Sequence, residues 1–217
     1  MNIKAVIFDF DNTLADRQYS SRMIFSKLIQ EMIPDLEPME LEHHLQEIIS
    51  WDEWGTKSLY KTFKQFCDKY ALDPQLAHEM ADRWPQEMPK ATVLFDESIH
   101  VLETLQKKYR LAIITNGHSE AQKNKIQHVG IESYFEKILV GGDYEFQKPD
   151  VRIFQLMCEH LNLQPEECLF VGDVFTTDII GAHRCGMKTV WICSDPKRQH
   201  DSCVTRIYEI QDLLKLI

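Results

Sequence analysis

Five short runs rich in aliphatic and β-branched residues punctuate the chain: Ile3 to Phe8, Leu111 to Thr115, Lys137 to Val140, Cys168 to Gly172 and Thr189 to Cys193. Their apolar residues follow one another without the alternation of a half-exposed strand, so each predicts a strand covered on both faces. Helical patterns fall between the later runs, at Ser119 to Val129, Val151 to Leu161 and Asp178 to Cys185. That alternation predicts an α/β fold with a doubly wound parallel sheet.

The interval 16–95 breaks the rhythm. It holds no convincing strand and several amphipathic stretches, and predicts an inserted all-helical subdomain between two segments of the α/β core, 1–15 and 96–217. Leu59, Phe63, Phe66 and Tyr70 follow spacings of four, three and four, which place them on one helix face. Leu76, Met80 and Trp84 do the same on a second helix, which Pro85 is expected to end. These stripes read as core packing. Asp96 is the expected N-cap of a helix bearing Ile99, Leu102 and Leu105, which returns the chain to the sheet.

Composition narrows the field. The 217 residues carry 24 Lys and Arg against 34 Asp and Glu, a net charge of −10, without a local basic patch. Such a field repels nucleic acid and anionic membrane surfaces. The apolar runs are too short to cross a bilayer, and Met1 leads directly into a strand pattern, so a cytoplasmic protein is expected. Six scattered cysteines form no C-x-x-C pair and read as reduced, structural thiols. His43 and His44 are neighbours on different helix azimuths and are expected to face solvent, not one ion.

The polar residues at the strand ends carry the chemistry. The first run ends in Asp9-Phe10-Asp11-Asn12-Thr13, the second in Thr115-Asn116-Gly117, and the fourth in Gly172-Asp173 with Asp178 beyond; Gln147-Lys148-Pro149-Asp150 precedes the helix into the fourth. In an open parallel sheet these carboxyl ends form the ligand-binding rim. Carboxylates crowded there require a positive partner, and Mg2+ is the hard cation that oxygen ligands suit. Asp9, Asp173 and the main-chain carbonyl of Asp11 are the candidate ligands. Asp9 can attack phosphorus to form an acyl phosphate. Asp11 can protonate the leaving group and then activate water. Thr115, Asn116 with its neighbouring amides, and Lys148 can hold the transferring oxygens.

Together, D-x-D-x-T at Asp9 to Thr13, the Thr115 segment, the Lys148 segment and G-D-x-x-x-x-D at Gly172 to Asp178 resemble the four motifs of the haloacid dehalogenase superfamily. The resemblance implies a Rossmann-like core, Mg2+, and a phosphatase of small phosphorylated metabolites. It implies that Asp9 is the nucleophile, Asp11 the acid/base, Thr115 and Lys148 phosphate-binding and stabilising groups, and Asp173 a metal ligand. Asp178 is expected to orient Lys148 or a metal-bound water. A helical insertion after the first motif resembles the C1 type of mobile cap, on which Arg17, Tyr19, Trp51, Trp54, Lys57 and Tyr60 are the substrate-facing candidates. The Thr115, Lys148 and Asp178 to Ile192 segments are similar to the branch with pyrimidine nucleotidases and N-acylneuraminate-9-phosphatases. A sugar phosphomutase of the same fold remains the rival; Asp11 argues against a dehalogenase proper, and the long insertion against a phosphoacceptor signalling module.

Overall fold

The computed structural model describes residues 2–55, 57–195, 197–198 and 202–217, without the side chain of Trp54. In chain order the elements are β1 (Ala5–Phe8), α1 (Arg17–Met32), α2 (Pro38–Asp52), α3 (Leu59–Tyr70), α4 (Gln75–Ala91), α5 (Ser98–Leu105), β2 (Arg110–Thr115), α6 (Ser119–His128), β3 (Lys137–Val140), α7 (Val151–Leu161), β4 (Cys168–Gly172), α8 (Ile180–Cys185), β5 (Lys188–Ile192) and β6 (Arg206–Ile207). The chain divides into two compact units, Met1–Asp16 with Leu94–Ile217, and Arg17–Val93. Among the described residues, no helix is long and apolar enough to cross a membrane.

The first unit is α/β. Its strands form one parallel sheet in the order β3-β2-β1-β4-β5-β6. Successive side chains go to opposite faces. Val6, Phe8, Leu111, Ile113, Leu169 and Val171 join one core with α5 and Ile126 of α6; Ala5, Ile7, Ala112, Ile114 and Phe170 join the other with α7 and α8. Burial on both faces is why these strands read as unbroken apolar runs. Order reverses at β1 and β4, which places a crevice at their carboxyl ends.

Three local details of this unit depart from the expected elements. The strand β6 is two residues long and pairs with β5 at the sheet edge, too short to leave a periodic signal. The helix expected from Asp178 is preceded by a wide turn over Phe175–Ile179, with regular helix only from Ile180. The helix after Phe95 begins at Ser98, with Glu97 instead of Asp96 at the N-cap position; Phe95 N–H and the Ser98 hydroxyl both donate to the Leu14 carbonyl, at 3.0 and 2.8 Å.

The second unit is all-helical and has its own core of Phe25, Leu28, Phe63, Phe66, Met80 and Trp84. Pro85 does not end α4, which runs on to Ala91 with Pro85 and Pro89 inside it. Each proline removes one backbone donor, but Met80, Trp84 and Met88 keep the same buried face across the break, and that burial outweighs the missing bonds. His44 is also not solvent-facing: it is buried against Phe66 and Tyr70, with its ring 5.7 Å from that of His43. Long side chains swing across the azimuth that separates neighbours, so one donor atom from each of His43, His44 and Glu47 falls within 4.8 Å of the others. Glu47 already accepts from Lys69 and Tyr70, so an ammonium holds that carboxylate.

Candidate active site

The register of β1 and β4 sets the site. Phe8 lies opposite Val171, and Asp9 N–H still donates to the Val171 carbonyl at 2.9 Å, so Asp9 and Asp173 leave adjacent strands almost level. The chain then turns sharply: Leu14 and Ala15 N–H both donate to the Phe10 carbonyl, and Asn12 takes a left-handed φ of 57° that asparagine tolerates well. The turn separates the two aspartates of the D-x-D pair.

Asp9 belongs to a buried charge network. The Lys148 ammonium lies 2.7 Å from Asp9 Oδ1 and 2.8 Å from Asp178 Oδ1, with all three side chains nearly inaccessible. Asp178 is fixed further by Val174 N–H, which donates to Oδ2 at 2.9 Å, and by the Thr177 hydroxyl at 3.3 Å. Gly172 makes room for it: a Cβ there would stand 2.5 Å from Asp178 Oδ2. Asn116 sets Lys148 from behind, since its side chain donates to the Lys148 carbonyl at 2.9 Å and accepts from the Lys148 N–H at 3.0 Å. The Asn116 side chain is thus committed to the Lys148 main chain, so the phosphate role expected at this position falls to the backbone amides near it.

Oxygens of Asp9, Asp173 and Asp178 lie within 4.8 Å of one another. Three carboxylates share one ammonium, and Asp173 Oδ1 is buried without a hydrogen-bond partner. An all-oxygen set with a surplus of negative charge and an unsatisfied oxygen fits a hard dication such as Mg2+. The titration of these groups reports the same strain. Burial pushes Asp9 up to about 6 against the pull of Lys148, with Asp178 and Asp11 adding repulsion. Burial, then Asp9 and Asp178, push Asp173 up to about 8. Two burdened carboxylates side by side mark a functional cluster.

Asp11 and Thr115 stand in a second group. Lys125 Nζ lies 2.7 Å from both oxygens of Asp11. Gln122 Nε2 donates to Asp11 Oδ2 at 2.9 Å and to Thr115 Oγ1 at 2.7 Å. Neither α6 residue belongs to the four motifs; their signal in the sequence is two polar side chains, three residues apart, on the helix that follows β2.

In the helical unit the substrate-facing candidates are dispersed. Arg17 pairs with buried Asp52 at 3.6 Å, Lys57 donates to Gln65 at 2.9 Å, Tyr60 packs against His78, and Trp51 lies under the Lys69 ammonium. Tyr19 is half exposed. The Trp54 side chain lies outside the described residues.

Comparison with known proteins converges on one family. A model described as haloacid dehalogenase-like hydrolase matches residues 6–192. The chain is 33% identical to the N-acylneuraminate-9-phosphatase of Rattus norvegicus, over 88% of this chain and 82% of that one, and 30% identical to the glyceraldehyde 3-phosphate phosphatase of Methanopyrus kandleri, over 88% and 84%. The fold is shared with the hydrolase YfnB of Bacillus subtilis, solved bound to magnesium, at a TM-score of 0.82 and 22% identity, covering 100% of this chain and 99% of that one. With its strand-end carboxylates and these matches over most of its length, the chain belongs to the haloacid dehalogenase-like hydrolase family and is a phosphoric monoester hydrolase within it.

Proposed function

We propose that the protein hydrolyses a small phosphate monoester in two displacements through an aspartyl-phosphate on Asp9. The observation that carries this reading is the Asp9 carboxylate itself: buried at a strand end, one oxygen fixed by Lys148 at 2.7 Å, and set within a three-carboxylate cluster. In the first step an Asp9 oxygen bonds to phosphorus as the ester P–O bond breaks, and the departing alkoxide takes a proton carried by Asp11. In the second, Asp11 takes a proton from water, the water oxygen bonds to phosphorus, the acyl P–O bond breaks, and Asp9 and inorganic phosphate are regenerated. Lys148 and the Thr115 hydroxyl hold phosphate oxygens. Asp9, Asp173 and the Asp11 carbonyl would hold Mg2+, with Asp178 beside them; bound, it supplies charge neutralisation for the phosphoryl group.

Curated relatives are named for N-acylneuraminate 9-phosphate, glyceraldehyde 3-phosphate and phosphoserine, so sugar, triose and amino-acid phosphates head the substrate panel, with nucleotides beside them. The helical unit enters the chain just after Asp9 to Thr13, and we assign it the role of a substrate-selecting lid. The test is acid-quenched peptide mapping during turnover with Mg2+, which should find a phosphoryl adduct on Asp9. Asp9→Asn should lower phosphate release about 10⁴-fold or more while leaving the fold intact. Near wild-type release from that variant, or isomerisation of substrate without release, would exclude this hydrolysis.

A further inference from the structure

We infer that Lys125 and Gln122 of α6 are positioning residues for the chemical step, which fix the Asp11 carboxylate and tie its orientation to the Thr115 hydroxyl. The inference rests on the reading of Asp11 as acid/base. An ammonium that is 5% exposed is costly to bury, and its partner Asp11, 20% exposed, could be satisfied by solvent. The pair is therefore poorly explained as a stabilising contact. What it does provide is geometry. The terminal torsion of an aspartate is broad and soft, and two equal contacts of 2.7 Å from one Nζ lock it. The Lys125 ammonium is itself seated near the face of the Phe10 ring, at 5.8 Å.

Gln122 completes the linkage. One hydrogen of its side-chain amide goes to Asp11 Oδ2 and the other to Thr115 Oγ1. Thr115 is thereby made an acceptor on that side. Its own hydrogen has a long contact of 3.4 Å with the Asn116 carbonyl, so it stays free to donate to a phosphate oxygen. One amide thus sets the register between the group that moves the proton and a group that holds the phosphoryl oxygens.

A role exercised through Asp11 has a signature that packing lacks: it matters when the leaving group needs a proton. The test is kcat/KM, which covers the steps through phosphoenzyme formation, with an alkyl phosphate and with 4-nitrophenyl phosphate. Lys125→Met should lower the alkyl value about 100-fold and the nitrophenyl value less than about 5-fold. Lys125→Arg should recover to within about tenfold, and Gln122→Leu, which also releases Thr115, should slow both substrates but the alkyl one about tenfold further. The Lys125→Met/Asp11→Asn pair should be no slower than Asp11→Asn alone. If Asp11→Asn is selective for the alkyl substrate while both α6 variants slow the two substrates equally, or the double variant multiplies the losses, the inference is overturned and the acid/base reading stands. If Asp11→Asn itself leaves both substrates at wild-type rates, the acid/base reading falls first, and the inference with it. Should Lys125→Met not fold, Gln122→Leu, which removes no charge, decides.

Discussion

The two units handle charge in opposite ways. In the helical unit the carboxylates of Glu31, Glu42, Glu47 and Glu87 sit at the surface, and hydrogen bonds from Arg83, from Gln46 and Arg22, from Lys69 and Tyr70, and from Lys27 hold each below its ordinary range. At the strand ends of the α/β unit, burial pushes Asp9 and Asp173 upward, helped at Asp9 by the charges of Asp178 and Asp11 and at Asp173 by those of Asp9 and Asp178. Surface pairs of the first kind can be removed one at a time at little cost. The buried set cannot, because Lys148 answers to Asp9 and Asp178 together. One arrangement supports a fold; the other is kept under an electrostatic load that a proton or a cation would relieve. Asp52 is the exception in the helical unit, buried and raised despite Arg17.

The largest effect should come from Lys148→Met. Turnover should fall about 10³-fold or more, and removal of one partner of a buried pair should cost about 3–5 kcal/mol of stability. Adding Asp178→Asn should restore part of that stability by removing one stranded charge. Chemical denaturation of the single and double variants reads this coupling, and strict additivity would show that the three side chains do not act as a network. Phe63→Ala, in the helical unit, should cost about 3–4 kcal/mol by leaving a cavity against Phe25 and Trp84. Here no charge change elsewhere should compensate, and a loss below about 1 kcal/mol would mean that this core is loosely packed.

A smaller effect follows from pH. Asp9 at about 6 and Asp173 at about 8 both lie above the ordinary 3.8, so the folded, metal-free protein binds their protons more tightly than the unfolded chain. Their contribution to stability is complete below about pH 4 and is lost as pH rises through 6 and 8. Surface carboxylates such as Glu31 and Glu87 act with the opposite sign, losing their contribution as pH falls. Thermal melts with and without Mg2+ should therefore separate more at pH 8 than at pH 5. A separation that is constant with pH would show that these carboxylates do not take up the metal.

Much of this was legible in the sequence because burial on both faces leaves an unmistakable mark. The runs ending at Phe8, Thr115, Val140 and Gly172 coincide with strand ends, and Asp9, Asp173, Asp178 and Lys148 follow from those ends. Lys125 and Gln122 were not legible: their partner Asp11 is more than a hundred positions away, and α6 contributes little more than Ile126 to the apolar core, so its buried face looks solvated. His44 was missed for the converse reason, since an imidazole in an aromatic pocket has no periodic signature until Phe66 and Tyr70 close around it. Pro85 shows local propensity overridden by a stripe that continues to Met88.

The smallest effect is expected where the helical unit spends its charges. Arg83 meets Glu31 and, at 3.6 Å, Glu87, yet its side chain is 35% exposed. Arg83→Met keeps an apolar stem of similar length and removes the guanidinium, with its ion pairs and its 3.8 Å contact to the Met80 sulfur. Solvent screens such a pair, and the loss should be below about 1 kcal/mol, shrinking further in 1 M salt. Denaturation at low and high salt checks this. A loss that is large and independent of salt would place a desolvated network in the helical unit, and the contrast between the two units would then lie in packing and not in charge.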